Sequence, residues 1–163
     1  MISARLVELI QNHAPRLAED MVRDLLSNPR TRGFQGVPRL ELESRIFRVY
    51  VHLGDWIAAG PDSLAEAEFE EWGRRRFGEG IALSEIVYAI VLLKAHLSRY
   101  IQDHGLIDSS FPSSEADYVL PMHMHSLQEL NRMVGLFFDR ALYHLALGYE
   151  SAAAGPAVKL DHR

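Results

Sequence analysis

The sequence predicts an all-α protein, a single-domain helical bundle of five to six helices, with globin-like packing as the alternative arrangement. Three observations carry this prediction. Apolar residues recur three and four apart in every long segment, the spacing that lines one face of a helix. No segment alternates apolar and polar residues as a half-buried strand would. The 163 residues are 48% hydrophobic and 24% charged, which suits one domain around one sizeable core. Residues 1–150 are expected to form that domain, and 151–163, SAAAGPAVKLDHR, a flexible tail.

The elements follow in order. Leu6, Leu9 and Ile10 mark a short helix over about 3–13. Leu17, Met21, Leu25 and Leu26 mark a longer one. Pro15 lies between them and suits the first turn of the second better than the middle of one helix. SNPRTRGFQGVPRL, with two Pro and two Gly, is a loop. Leu42, Ile46, Val49, Leu53 and Trp56 or Ile57 then line a helix that stops at Gly60-Pro61. Ser63 and Glu66 fit a capping box for the next helix. On that helix Glu70 and Arg74, and Glu71 and Arg75, are spaced to pair along the surface, and Gly78 and Gly80 stop it. ALSEIVYAIVLLKAHLSRYIQDHG is the most apolar helix, expected at the centre of the fold and ending at Gly105. LIDSSFPSSEAD is a loop and cap. The last helix is expected from Ser114 to about Tyr149, with Pro121 a point where it can kink. At about 1.5 Å per residue it reaches roughly 50 Å, longer than a small domain needs.

Composition excludes several functions. A net charge of −5 argues against a general grip on nucleic acid, which needs a basic face. With no cysteine there are no disulfides, thiolate zinc sites or cysteine nucleophiles. The N-terminal stretch is broken by Asn12, His13 and Pro15 where a signal peptide needs an apolar run, and no apolar run approaches the roughly 20 residues that span a bilayer. The expected setting is the cytoplasm, away from membranes.

Eight histidines raise the question of a metal. His123 and His125 point in different directions on a helix, and His125 with Glu129 supplies two ligands where zinc takes at least three from protein. No metal site is expected. His52, His96 and His144 sit in apolar helices. Imidazole on such a wall is what haem uses, so His96 or His144 is the candidate ligand if the chain is a haem or small-ligand sensor. More often such histidines are hydrogen-bonded core residues, and the main expectation is no cofactor. There is no GxSxG, P-loop or Rossmann glycine pattern and no nucleophile beside a base, so no catalytic residues are expected. Arg74-Arg75-Arg76 reads as a solvated helix face paired with Glu70 and Glu71 rather than a phosphate site.

LNRMVGLFFDRALYHLALGYE, residues 130–150, is apolar over a wide arc and must be covered on most of it. The chain's own helices, a second subunit or an apolar ligand are the possible covers. The helix's length favours a second subunit. Met133, Phe137, Phe138, Ala141 and His144 are the residues expected at a dimer interface or pocket wall.

WGRRRFGEGIALSEIVYAIVLLKAHLSRYI resembles the N-terminal domain family of the RsbT co-antagonist (RsbRD-type) regulators. There an aromatic-Gly-Arg helix end is followed by Gly, a Leu-Ser/Glu helix start and a long apolar helix. Here those positions are Trp72, Gly73, Arg74, Gly80, Leu83, Ser84 and Glu85. FFDRALYHLALGYE is similar to the way such domains end, and the likeness covers about 5–150. The resemblance implies an all-helical bacterial sensory or regulatory module without catalysis, acting in signal transduction beside an output module such as a STAS domain or histidine kinase. Together the readings describe a non-enzymatic regulatory domain that forms a homodimer, signals through helix shifts, and works with an output signalling protein.

Overall fold

The computed structural model describes residues 2–59, 63–105 and 116–155, with side chains in most of that span. Its elements are α1 (Ile2–Ser27), a short 3-10 helix (Arg32–Gly36), α2 (Arg39–Ala59), α3 (Ser63–Gly78), α4 (Leu83–Gly105) and α5 (Ala116–Ala153). Among the described residues there are five α-helices and no strand, so the chain is an all-α bundle.

The expected break at Pro15 is absent, and α1 is one helix with Pro15 inside it. Pro15 is exposed, so the hydrogen bond it cannot make falls on the solvent side, where the unpaired carbonyl is open to water. On the opposite side Ile10 and Ala14 before it, and Leu17 and Ala18 after it, are all buried. A break would strip half of that face from the core. The chain leaves α1 through Thr31, whose buried hydroxyl donates to the Leu25 carbonyl at 2.6 Å. The Glu85 carboxylate, in the first turn of α4, then accepts from the Gly33 N–H at 2.6 Å.

α2 buries Leu42, Ile46, Val49, Leu53 and Trp56, the expected stripe. Gly60 and Pro61, the expected stop, lie outside the described residues, as does the side chain of Ser63. Gly80 is the residue that ends α3. Its φ of 74° turns the chain, Gly80 N–H donates to the Phe77 carbonyl, and Ile81 N–H reaches back to that of Arg76.

The centre of the bundle is α5 rather than α4. α5 packs on α1, α2, α3 and α4, most closely on α3. α4 buries one stripe, Ile86, Leu93, Leu97 and Ile101, and leaves Val91 exposed. Its apolar character exceeds what the core covers. α5 continues through Pro121 and past Tyr149 to Ala153, beyond the point where the tail was expected to begin. Gly155, with φ 70°, follows it; residues 156–163 and the loop 106–115 lie outside the described residues.

The tightest packing is between α3 and α5. A Cβ on Gly73 would collide with the Leu145 carbonyl oxygen and stand 2.9 Å from the Tyr149 nitrogen. A Cβ on Gly148 would collide with the Glu70 carbonyl oxygen and stand 2.6 Å from its carbon. The two backbones are therefore in contact at a pair of facing glycines. The approach lets the Tyr149 hydroxyl donate to the Ile81 carbonyl at 3.0 Å, and sets the Phe77 and Tyr149 rings edge to face at 5.2 Å.

Gly73→Ala and Gly148→Ala must push two backbones apart, since no rotamer relieves either clash. The overpacking penalty of about 1–3 kcal/mol exceeds the helix propensity that Ala gains over Gly, about 1 kcal/mol. Both substitutions should lower the melting temperature. Gly135→Ala, whose Cβ would meet nothing closer than Lys94 Nζ at 3.9 Å, should raise it. Thermal melts followed by circular dichroism read the opposite signs.

Candidate functional site

The residues singled out on α5 all face the chain's own helices. Phe137, Phe138 and Ala141 are buried by the chain's own helices, at 3%, 1% and 1% exposure. Phe137 sits edge to face with Trp56 of α2 at 5.8 Å and with Phe69 of α3 at 5.8 Å, and with Phe138 at 5.4 Å. Met133 is half-buried against the same core. The outward side carries Leu136, Tyr143 and Leu147, exposed by 44%, 63% and 37%. Positions 136, 143 and 147 share one face of a helix.

His144 is half-buried and tied to α3. Its Nδ1 lies 2.9 Å from a Glu70 oxygen and its Nε2 3.6 Å from Glu66, which also receives Arg140. Glu66, expected to cap α3 with Ser63, thus bonds across to α5. His96 on α4 is tied in the same way to Asp24 on α1 at 2.8 Å, and His52 on α2 to Glu68 on α3 at 2.6 Å. Three histidines and three helix pairs share one device. These carboxylates fix the ring orientation of His96 and His144 and give each a structural role between helices. His125 is exposed, and the side chain of His123 lies outside the described residues. Among the described residues no three His, Cys, Asp or Glu side chains stand close enough to hold a metal ion.

A cavity of about 80 Å³ opens between the helices, walled by apolar side chains that include Met21, Ile46, Ile86, Ile90 and Leu93. None of Met133, Phe137, Phe138, Ala141 and His144 lines it; Leu145 does. Two arginines also line it, Arg45 from α2 and Arg76 from α3. Arg76 is 4% exposed, against the expectation that Arg74-Arg75-Arg76 is a solvated face. Arg74 keeps to that expectation, bonding Glu71 at 3.0 Å. The guanidinium of Arg76 lies over the Phe34 ring at 5.6 Å, pairs with Glu79 and approaches Glu41 at 3.7 Å. Arg45 lies over the Trp72 ring at 5.7 Å and donates from Nε to Glu41 at 3.0 Å. Arg75 reaches Glu41 at 3.2 Å and Glu79 at 3.2 Å. Burial first, and then repulsion from Arg76 and Arg75, weakens the hold of Arg45 on its proton, with Glu41 opposing. Sequence reasoning missed both arginines. The signal was present: Ala65, Phe69, Trp72 and Arg76 are spaced on one face of α3, and Arg45 stands beside the stripe of Leu42, Ile46 and Val49.

Phe137→Ala empties the centre of an aromatic cluster within one chain. It should cost about 3–5 kcal/mol in denaturant unfolding. Because its partners are intrachain, that loss should not depend on protein concentration.

No curated protein and no solved structure matches the chain. Among the described residues no helix is long and apolar enough to cross a membrane. A family model, the RsbT co-antagonist protein rsbRD N-terminal domain, matches residues 15–154. That match takes in α2 to α5 and the second half of α1, including the facing glycines of α3 and α5. The chain belongs to the RsbT co-antagonist rsbRD N-terminal domain family.

Proposed function

We propose that the chain is a non-catalytic sensory and regulatory domain that acts as a homodimer and passes its signal through α5. The family supports a regulatory, signalling role. The observation that supports the rest is the position of α5. It touches every other helix on its inner side and presents Leu136, Tyr143 and Leu147 on its outer side. A change in how α1 to α4 pack must move α5, and a partner seated on its outer face would feel that movement.

The occupant of the outer face in this reading is a second copy. Charges of both signs flank the apolar stripe: Arg132 and Asp139 on one side and Arg140 on the other, with Glu129 in line with it. A mixed pattern of this kind is self-complementary under a twofold axis. A dimer formed there leaves the inner contacts of Phe137, Phe138 and Ala141 in place, so those residues transmit and the outer three associate. The output signalling protein would then read the relative position of the two α5 helices. The setting in this reading is the cytoplasm.

Light scattering coupled to size exclusion tests the proposal. The chain should elute as a dimer, and Leu136→Glu with Tyr143→Glu should give a monomer with unchanged helical content. A monomeric parent chain, or a dimer that ignores both substitutions, overturns the assignment.

A further inference from the structure

The cavity holds a contradiction in charge. Its walls are apolar, yet it is bounded by two guanidiniums in a cluster with one cation too many. The cluster comprises Arg45, Arg75 and Arg76 against Glu41 and Glu79. Glu41 serves all three arginines and Glu79 serves two of them. Arg75 is half exposed and water can screen it, but the side chains of Arg76 and Arg45 are only 5% and 16% exposed. A buried charge without a full counter-charge is costly. Among the described residues the terminal nitrogens of Arg45 have no acceptor, since only its Nε donates, to Glu41. Arg45 therefore has donors to spare at a point that lines both the apolar cavity and the groove outside it.

A path from solvent reaches this point. A groove between α2 and α3, lined by Arg48, His52, Glu68 and Arg75, shares Arg45 and Trp72 with the cavity. The stacked pair Arg45 and Trp72 is thus the partition between groove and cavity. Glu68 holds Arg48 and His52 at 2.9 and 2.6 Å, and Glu71, which also lines the groove, bonds Arg74, so neither carboxylate is spent on Arg45 or Arg76.

We propose that this cavity binds a small monocarboxylate with a short apolar tail, its carboxylate received by Arg45 and Arg76 and its tail among Ile46, Ile86, Ile90 and Leu93. The size of the tail follows from the volume. On the scale where about 150 Å³ takes the six carbons of benzene, the 80 Å³ here takes about three carbons. Butyrate has that length. The carboxylate supplies the missing negative charge and accepts from the free Arg45 donors, in the fork geometry that guanidinium offers. The tail fills a void whose lining now lacks contact partners. All five helices contribute to the lining, so occupancy would alter the packing on which α5 rests. The inference deepens the sensory reading by giving it a ligand class, but binding is read independently of dimerisation.

Titration calorimetry of the full chain with sodium acetate, butyrate, hexanoate and decanoate, and with butanol and butylamine, tests it. Butyrate should bind saturably and more tightly than acetate or decanoate, and the alcohol and amine should not bind. Arg45→Gln should weaken butyrate about tenfold or more, the loss expected when a charge-assisted hydrogen bond goes. Ala89→Leu, which fills the cavity and keeps every charge, should abolish binding while circular dichroism stays helical. Absence of saturable butyrate binding overturns the proposal, as does butyrate binding untouched by Ala89→Leu. Decanoate binding most tightly, the mark of a lipid-sized site elsewhere, overturns it too. A dimer that ignores butyrate leaves the regulatory reading standing and removes the ligand; a monomer that binds butyrate does the reverse.

Discussion

Everything in this bundle depends on how closely α3 and α5 approach. At Gly73 and Gly148 no side chain stands between the two backbones. The contact gives up side-chain burial at two positions, and Gly costs roughly 1 kcal/mol in a helix relative to Ala. What it permits is larger. With the axes this close, His144 and Arg140 reach Glu70 and Glu66, and Tyr149 reaches the turn after α3 at Ile81. Phe137 can then bridge α3 and α2 through Phe69 and Trp56. α3 and α5 thus behave as one unit, against which α1, α2 and α4 complete the core.

The same geometry accounts for the cavity. α3 is committed to α5, and α2 is committed to α1. Where α2 and α3 face each other, long side chains span the gap in place of close backbone contact. Arg45 stacks on Trp72, Arg75 and Arg76 reach Glu41, and Arg48 and His52 reach Glu68. An interface built from guanidiniums and carboxylates is polar at its rim and leaves space behind it. Charged groups are retained there although an apolar replacement of similar volume is often neutral or stabilising. That is a reason to look for a role beyond stability in Arg45 and Arg76.

Much of this was legible in the sequence, for physical reasons. The stripe Leu42, Ile46, Val49, Leu53 and Trp56 is periodic, and periodicity reports which side of a helix is buried. The aromatic-Gly-Arg signature at Trp72-Gly73-Arg74 identified the family, and the structure shows why the glycine stands there. Pro15 misled because its side of α1 faces solvent, while the residues before and after it on the other side are held in one core. Arg76 misled because Glu70 and Glu71 offered partners for the whole arginine run; its place on the stripe of Ala65, Phe69 and Trp72 was legible, but Phe34 and Glu41, which help to hold it, come from other segments. The histidines were placed in apolar helices, but the carboxylates that hold them lie 16, 72 and 74 residues away in the chain, beyond any local pattern.

The most direct measurement exploits the absence of cysteine. Leu136→Cys, Tyr143→Cys and Leu147→Cys, made one at a time and oxidised, report whether two α5 helices meet along that face; Arg39→Cys on α2 is the reference. If α5 carries the signal between two copies, one or more of the three should cross-link rapidly to its own copy and the reference should not. Cross-linking at Arg39→Cys with none on α5 would contradict the account.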